Sequence, residues 1–171
     1  MGVPDPLVLT LALDPPSQDW LEALRRAHFP PARNLVPAHV TLFHALPGAE
    51  LAAVAATLAG ACAAMAPAPV RLGPPRFLGR GVALEVAAPA VAALRARLAA
   101  EWAPWLTRQD AQPWRPHATV QNKATATAAR NLCVQLSANL PVRDAQAVGL
   151  LLWHYRGGSW AAAGEYQFSS V

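Results

Sequence analysis

Lysine is almost missing from this chain. Of its 14 basic residues 13 are arginine, and the single lysine is Lys123. Charged residues of all kinds make up only 14%, which excludes the solvated, self-repelling composition of a disordered chain. Cysteine is scarce as well. Cys62 and Cys133 are the only two, and both fall in apolar helical patterns. That placement fits buried thiols in a reducing compartment better than a disulfide framework. No apolar run approaches bilayer-spanning length. The opening "MGVPDPLVLTLALDPP" carries no basic region ahead of a seven-residue apolar run, so it reads as a first strand and not as a signal peptide. A soluble, cytoplasmic, monomeric protein with no membrane partner is expected.

What is present is apolar. Hydrophobic residues make up 54% of 171 residues, enough for the core of one compact domain. Much of that count is alanine, which buries little area, so the anchors of the core must be Leu, Val, Trp and Phe. The net charge of +4 and isoelectric point near 9.8 favour an anionic partner without naming one. Arginine excess alone is no signal for RNA.

Periodicity divides the chain into short strands and helices. "LVLTLAL" (7–13) reads as a strand, followed by a helix that Ser17 can cap and that runs to about His28. A strand at 39–46 precedes a helix with Leu51, Val54, Leu58 and Cys62 on one face. "VRLGPPRFLGRGVALEV" (70–86) reads as a hairpin, and Pro89 opens a helix through Trp102. The loop "LTRQDAQPWRP" then leads into a strand at 117–123, a helix around 129–140, and two last strands joined through Gly157-Gly158. Residues 39–87 and 117–168 share one order: strand, helix, two strands. The expected organisation is a single domain, 1–171, with a lobe around 39–87 and a lobe around 117–168.

The repeated order matters because of what each first strand carries. "PAHVTLFHALPG" (37–48) holds His39 and Thr41, and "WRPHATVQNKA" (114–124) holds His117 and Thr119 at the same spacing. Side chains alternate faces along a strand. Alternation places His39, Thr41 and Phe43 together, with His44 on the opposite face. It likewise groups His117, Thr119, Gln121 and Lys123. Hydroxyls and an ammonium suit phosphate oxygens, and imidazoles move protons. Phosphodiester cleavage near neutral pH needs one imidazole to take a proton and another to give one, each role contributing roughly a hundred- to ten-thousand-fold in rate. The attacking and leaving oxygens lie on opposite sides of phosphorus, so the two rings should come from opposite walls of a cleft. No metal or other cofactor is required.

"HVTL" (39–42) and "HATV" (117–120) resemble the paired His-x-Thr-hydrophobic signatures of the 2H phosphoesterase superfamily. The likeness is nearer to its bacterial branch, the 2'-5' RNA ligase or RNA 2',3'-cyclic phosphodiesterase family. "GEYQF" is similar to that family's last strand. The resemblance implies a bilobal α+β fold, with two antiparallel sheets lining a central cleft and helices outside. It implies metal-independent opening of 2',3'-cyclic phosphates on RNA ends or small nucleotides, with reversible 2'-5' joining in some members. His39 would then donate the proton, His117 accept it, and Thr41 and Thr119 hold the non-bridging oxygens. From the residues alone the two histidine roles stay interchangeable.

Around these four, Phe43 is a candidate for stacking a base. Gln121, Lys123, Arg115, Phe77 and Tyr155 are further substrate-binding candidates, with Arg80, Trp153 and Arg156 on the same two hairpins. His28, His44 and His154 read as structural or surface histidines. A metal site of His39, His44 and His117 is the competing reading, but their strand faces disagree and no Cys-x-x-Cys or His-Glu spacing supports it. Two other functions compete: a nucleotide-binding module without efficient chemistry, and a cyclic phosphodiesterase acting on a non-RNA substrate.

Overall fold

The computed structural model describes residues 2–170. Among them seven strands and four helices follow in the order β1 (Leu7–Leu13), α1 (Pro15–His28), β2 (Thr41–Leu46), α2 (Leu51–Ala63), β3 (Ala68–Phe77), β4 (Val82–Ala87), α3 (Pro89–Glu101), β5 (His117–Gln121), α4 (Ala126–Asn139), β6 (Arg143–Tyr155) and β7 (Trp160–Gln167). The α+β class and the element order match the sequence reading. The first helix starts earlier than Ser17. Asp14 is its cap, accepting from the Ser17 backbone N–H at 3.2 Å and from its hydroxyl at 2.9 Å. Pro15 and Pro16 fill the first turn, where a missing N–H costs nothing.

Every strand pair is antiparallel, and pairing joins all seven into one sheet ordered β2-β1-β6-β3-β4-β5, with β7 also on β6. Two separate sheets were the expectation. One results because β6 is 13 residues long. Its start, Arg143 to Ala147, pairs with β3, while Ala147 to His154 pairs with β1 and the edge beyond β3 is taken by β7. A single strand therefore spans both halves. The hydrogen bonding also crosses the boundaries expected for the lobes. The β3–β4 hairpin pairs with β5, and the β6–β7 hairpin joins β1 and β2. The β3–β4 hairpin thus extends the second motif strand directly, and the β6–β7 hairpin reaches the first motif strand through β1.

β1 lies between β2 and β6, and its apolar residues are buried almost without interruption. Leu7, Leu9, Leu42, Leu46, Leu58, Leu84, Leu94 and Trp102 anchor one continuous core. Each such side chain contributes about 1.5–3 kcal/mol by leaving water. Cys62 is buried within that core and Cys133 half-buried, both as free thiols. The arrangement of β2 and β5 matters most for function. They end the strand path on opposite sides, with four strands between them, yet residues of both line one cavity. The sheet must curl to bring them together. α1 packs on β5, and α4 packs on β3 and β4.

Candidate active site

The two motif strands share a local distortion. In β2, Thr41 opposes Thr10 and Phe43 opposes Leu9, so two steps on β2 match one on β1. In β5, Thr119 opposes Ala83 and Gln121 opposes Val82, the same mismatch. A β-bulge therefore follows the motif threonine in each strand. The backbone is crowded at the second bulge, where a Cβ on Gly81 would collide with the Gln121 carbonyl. A side-chain donor meets the threonine carbonyl at both. Trp114 Nε1 donates to the Thr41 carbonyl at 2.8 Å, and Arg25 Nη1 donates to the Thr119 carbonyl at 3.0 Å.

The histidines are held alike. His39 Nδ1 lies 2.7 Å from the carbonyl of Pro37, and His117 Nδ1 lies 2.9 Å from that of Arg115. Each partner is two residues earlier in the chain. A carbonyl can only accept, so Nδ1 carries a proton in both rings and Nε2 is left for chemistry. Both rings are half-buried. With Thr41 and Thr119 they line a cavity of about 470 Å³.

Aromatic rings wall the His39 side. Trp160 sits 4.6 Å from His39 between ring centres, tilted by 56°, and Trp153 lies 5.7 Å beyond Trp160. Burial pushes the His39 ring down from its ordinary 6.5 to about 4; the Pro37 hydrogen bond opposes this, and the charges of Arg25, His117 and His44 add to it. His39 is consequently neutral near neutral pH, its Nε2 a proton acceptor.

A third imidazole enters the same cavity. His44 Nδ1 lies 2.9 Å from Asp110 Oδ1, and the carboxylate also accepts from the backbone N–H of His44 (2.9 Å) and of Ala45 (3.0 Å). Burial alone would raise the Asp110 carboxyl; these hydrogen bonds outweigh it and hold the group below the usual carboxylate range. Arg95, buried on α3, donates to the Asp110 carbonyl at 2.6 Å and to the Leu42 carbonyl at 3.2 Å. The loop before β5 is thereby tied to the backbone of β2.

Of the residues predicted from sequence, His39, Thr41, His117, Thr119, Arg115 and Tyr155 line this cavity. Phe43, Gln121, Lys123 and Phe77 do not. The bulges explain the first two, since an extra residue reverses the alternation beyond it. Phe43 is 0% exposed, edge-on to Trp102 at 5.3 Å and under the Arg95 guanidinium at 4.5 Å. Gln121 Oε1 is buried without a hydrogen-bond partner. Lys123 lies past the end of β5, exposed, with φ of 57°. Phe77, at the far end of β3, packs under Arg130 at 5.3 Å. Arg80 and Arg156 are engaged elsewhere, with the Ala124 carbonyl and Asp5.

The same reversal corrects the reading of His44, which faces the cavity. Also missed were Asp110, Trp114 and Trp160. Their one sequence signal was position: Asp110 and Trp114 occupy the proline-bearing loop leading into the second motif, where functional side chains concentrate. Of the competing metal set, His39 and His44 already commit Nδ1 to other partners. Among the described residues no group of three or more His, Cys, Asp or Glu side chains converges to hold an ion. Nor is any helix among them long and apolar enough to cross a membrane.

This curled sheet has solved counterparts. TT0787 of Thermus thermophilus superposes with a TM-score of 0.68 at 16% identity, covering 96% of this chain and 98% of its own. E. coli LigT in its apo form gives 0.65 at 16% identity over 99% and 100% of the two chains. E. coli LigT complexed with 3'-AMP gives 0.64 at 17% over 98% and 99%. No curated protein matches the chain in sequence. The profile of the 2'-5' RNA ligase superfamily matches residues 13–159, both motifs included. The chain belongs to that superfamily, the 2H phosphoesterases.

Proposed function

We propose that this protein is a phosphoesterase that opens 2',3'-cyclic phosphates, on RNA ends or small nucleotides, by two-histidine acid/base catalysis. The observation that carries the reading is the matched pair of rings. His39 and His117 line one cavity, each with Nδ1–H spent on a carbonyl and Nε2 free, each two residues before a threonine lining the same space.

The reaction then runs as an in-line displacement. His39 Nε2 takes a proton from water, whose oxygen bonds to phosphorus. The bond from phosphorus to the 3'-oxygen breaks, and His117 Nε2 protonates that oxygen, leaving a 2'-phosphate. Thr41 and Thr119 hydroxyls donate to the non-bridging oxygens. The resemblance alone gives His39 the donor's part; its lowered pKa favours the acceptor's. With an RNA 5'-hydroxyl in place of water, the same transfers form a 2'-5' linkage.

The test is turnover of adenosine 2',3'-cyclic phosphate, with the phosphate position in the product read by NMR. A 2'-phosphate supports the reading. A 3'-phosphate, or full turnover by both His39→Ala and His117→Ala, overturns it.

A further inference from the structure

We propose that His44, oriented by Asp110, is a second anion site of the cavity and takes a phosphate of the substrate other than the one that reacts. The proposal rests on the reading above and adds a substrate class to it: a nucleotide with a further phosphate on its 5' side, as at the end of an RNA strand, in preference to a free cyclic mononucleotide.

The two-histidine displacement has no use for a third imidazole, yet this one is built with care. The His44 side chain is 43% exposed, while the carboxylate that holds its Nδ1 is 0% exposed. Asp110 receives three kinds of N–H donor from β2, so its charge is spent on positioning that strand and that ring. With Nδ1 facing Asp110, the free nitrogen Nε2 is the one available to a ligand. Asp110 fixes the ring plane through Nδ1, so Nε2 is presented to the cavity in one direction, where a phosphate oxygen can meet it.

The surroundings favour an anion. Among the described residues Asp110 is the one acidic group lining the cavity, against Arg95, Arg115 and three histidines. Gln109 and Gln112, exposed on the same loop, also line the cavity, with Gln112 Nε2 donating to the Arg108 carbonyl at 3.3 Å. The bulge after Thr41 puts His44 on the same side as the motif threonine, three residues along β2. A substrate with one phosphate between the two motif histidines can therefore extend along β2 toward the His44 ring.

Two measurements test this. Calorimetric titration compares adenosine 3',5'-bisphosphate with adenosine 3'-monophosphate. The bisphosphate should bind the wild type roughly ten- to hundredfold more tightly, the worth of one or two charged hydrogen bonds. His44→Asn should erase most of that preference, and His44→Gln keeps the test open should the first variant fail to fold. Equal affinities in the wild type, or a preference that survives both variants, overturns the proposal. In turnover, the kcat/KM ratio between a dinucleotide ending in a cyclic phosphate and the cyclic mononucleotide should fall toward one in His44→Asn. Loss of both activities with an unchanged ratio would make His44 a proton carrier and sink the anion site. If neither compound is turned over, the phosphoesterase reading fails while the bisphosphate titration still decides on His44.

Discussion

Arg25 on α1 donates to the carbonyl of Thr119, 94 residues away, at 3.0 Å. The same guanidinium donates to Asn34 Oδ1 at 2.7 Å and lies 3.9 Å above the Phe29 ring, at 3% exposure. It therefore joins the second motif strand to the loop that delivers the first. Arg25→Met leaves two polar partners unmet and should cost about 3 kcal/mol in urea unfolding. It also removes a positive charge that depresses His39, so the acid limb of the rate profile should move upward. Arg25→Lys keeps the charge but not the planar fork; it should lose stability and retain the acid limb. Wild-type stability in both variants would show the contact to be idle.

His39 makes a prediction about pH. If its neutral ring accepts the first proton, kcat/KM should stay flat on the acid side to about pH 5 and fall around 4, the value to which burial pushes the ring. A donor with that pKa gives the opposite sign, with kcat/KM falling as pH rises above 4. Stability follows the same group. Between 6.5 and about 4 the unfolded chain binds a proton at this position that the folded protein refuses, so stability should decline as pH drops through that window. His39→Gln should flatten this part of the curve, measured by urea midpoints across pH.

Trp160 should act through the same ring. Its indole, 4.6 Å from His39, supplies part of the apolar wall that keeps the ring dry. Trp160→Ala admits water and should shift the acid limb toward 6.5, while Trp160→Phe should shift it less. An unmoved limb in the alanine variant would assign the low pKa to other neighbours.

Element order, fold class and the four motif residues were legible because each leaves a local trace: apolar period, proline and glycine punctuation, a repeated His-x-Thr. The faces beyond the threonines were not. Period-two counting carries Phe43 and Gln121 onto the reactive side, and only the pairing register with β1 and β4 reveals the extra residue that turns them away. His44 was misread for that reason. Asp110 was out of reach for another, since its partner lies 66 residues back in the chain. The exchange of hairpins between halves was equally hidden, because element order says nothing about which edge a hairpin joins.

Phe43 separates the core reading from the base-stacking one. It is fully buried against Trp102 and Arg95, away from the cavity. Phe43→Leu should cost about 1–2 kcal/mol in stability through the gap it leaves. KM for a cyclic nucleotide should stay within about twofold of wild type, because no substrate atom meets the ring and the effect is confined to packing. A large rise in KM with little change in stability would return Phe43 to the substrate.

The paired histidines predict non-additive losses. If each ring handles one proton of a single displacement, as proposed, removing either leaves the other without a partner step. His39→Ala and His117→Ala should each lower kcat by roughly a hundred- to ten-thousand-fold, and the double variant should be little worse than the poorer single one. Fully additive losses would mean the rings act in separate events. Both side chains are half-buried at the cavity wall, so the variants should keep the wild-type circular dichroism and unfold cooperatively. On the proposed mechanism, in which imidazoles carry the protons, prolonged EDTA treatment should leave wild-type turnover intact. Activity lost to EDTA and restored by zinc would reassign His39 and His117 from proton transfer to metal binding.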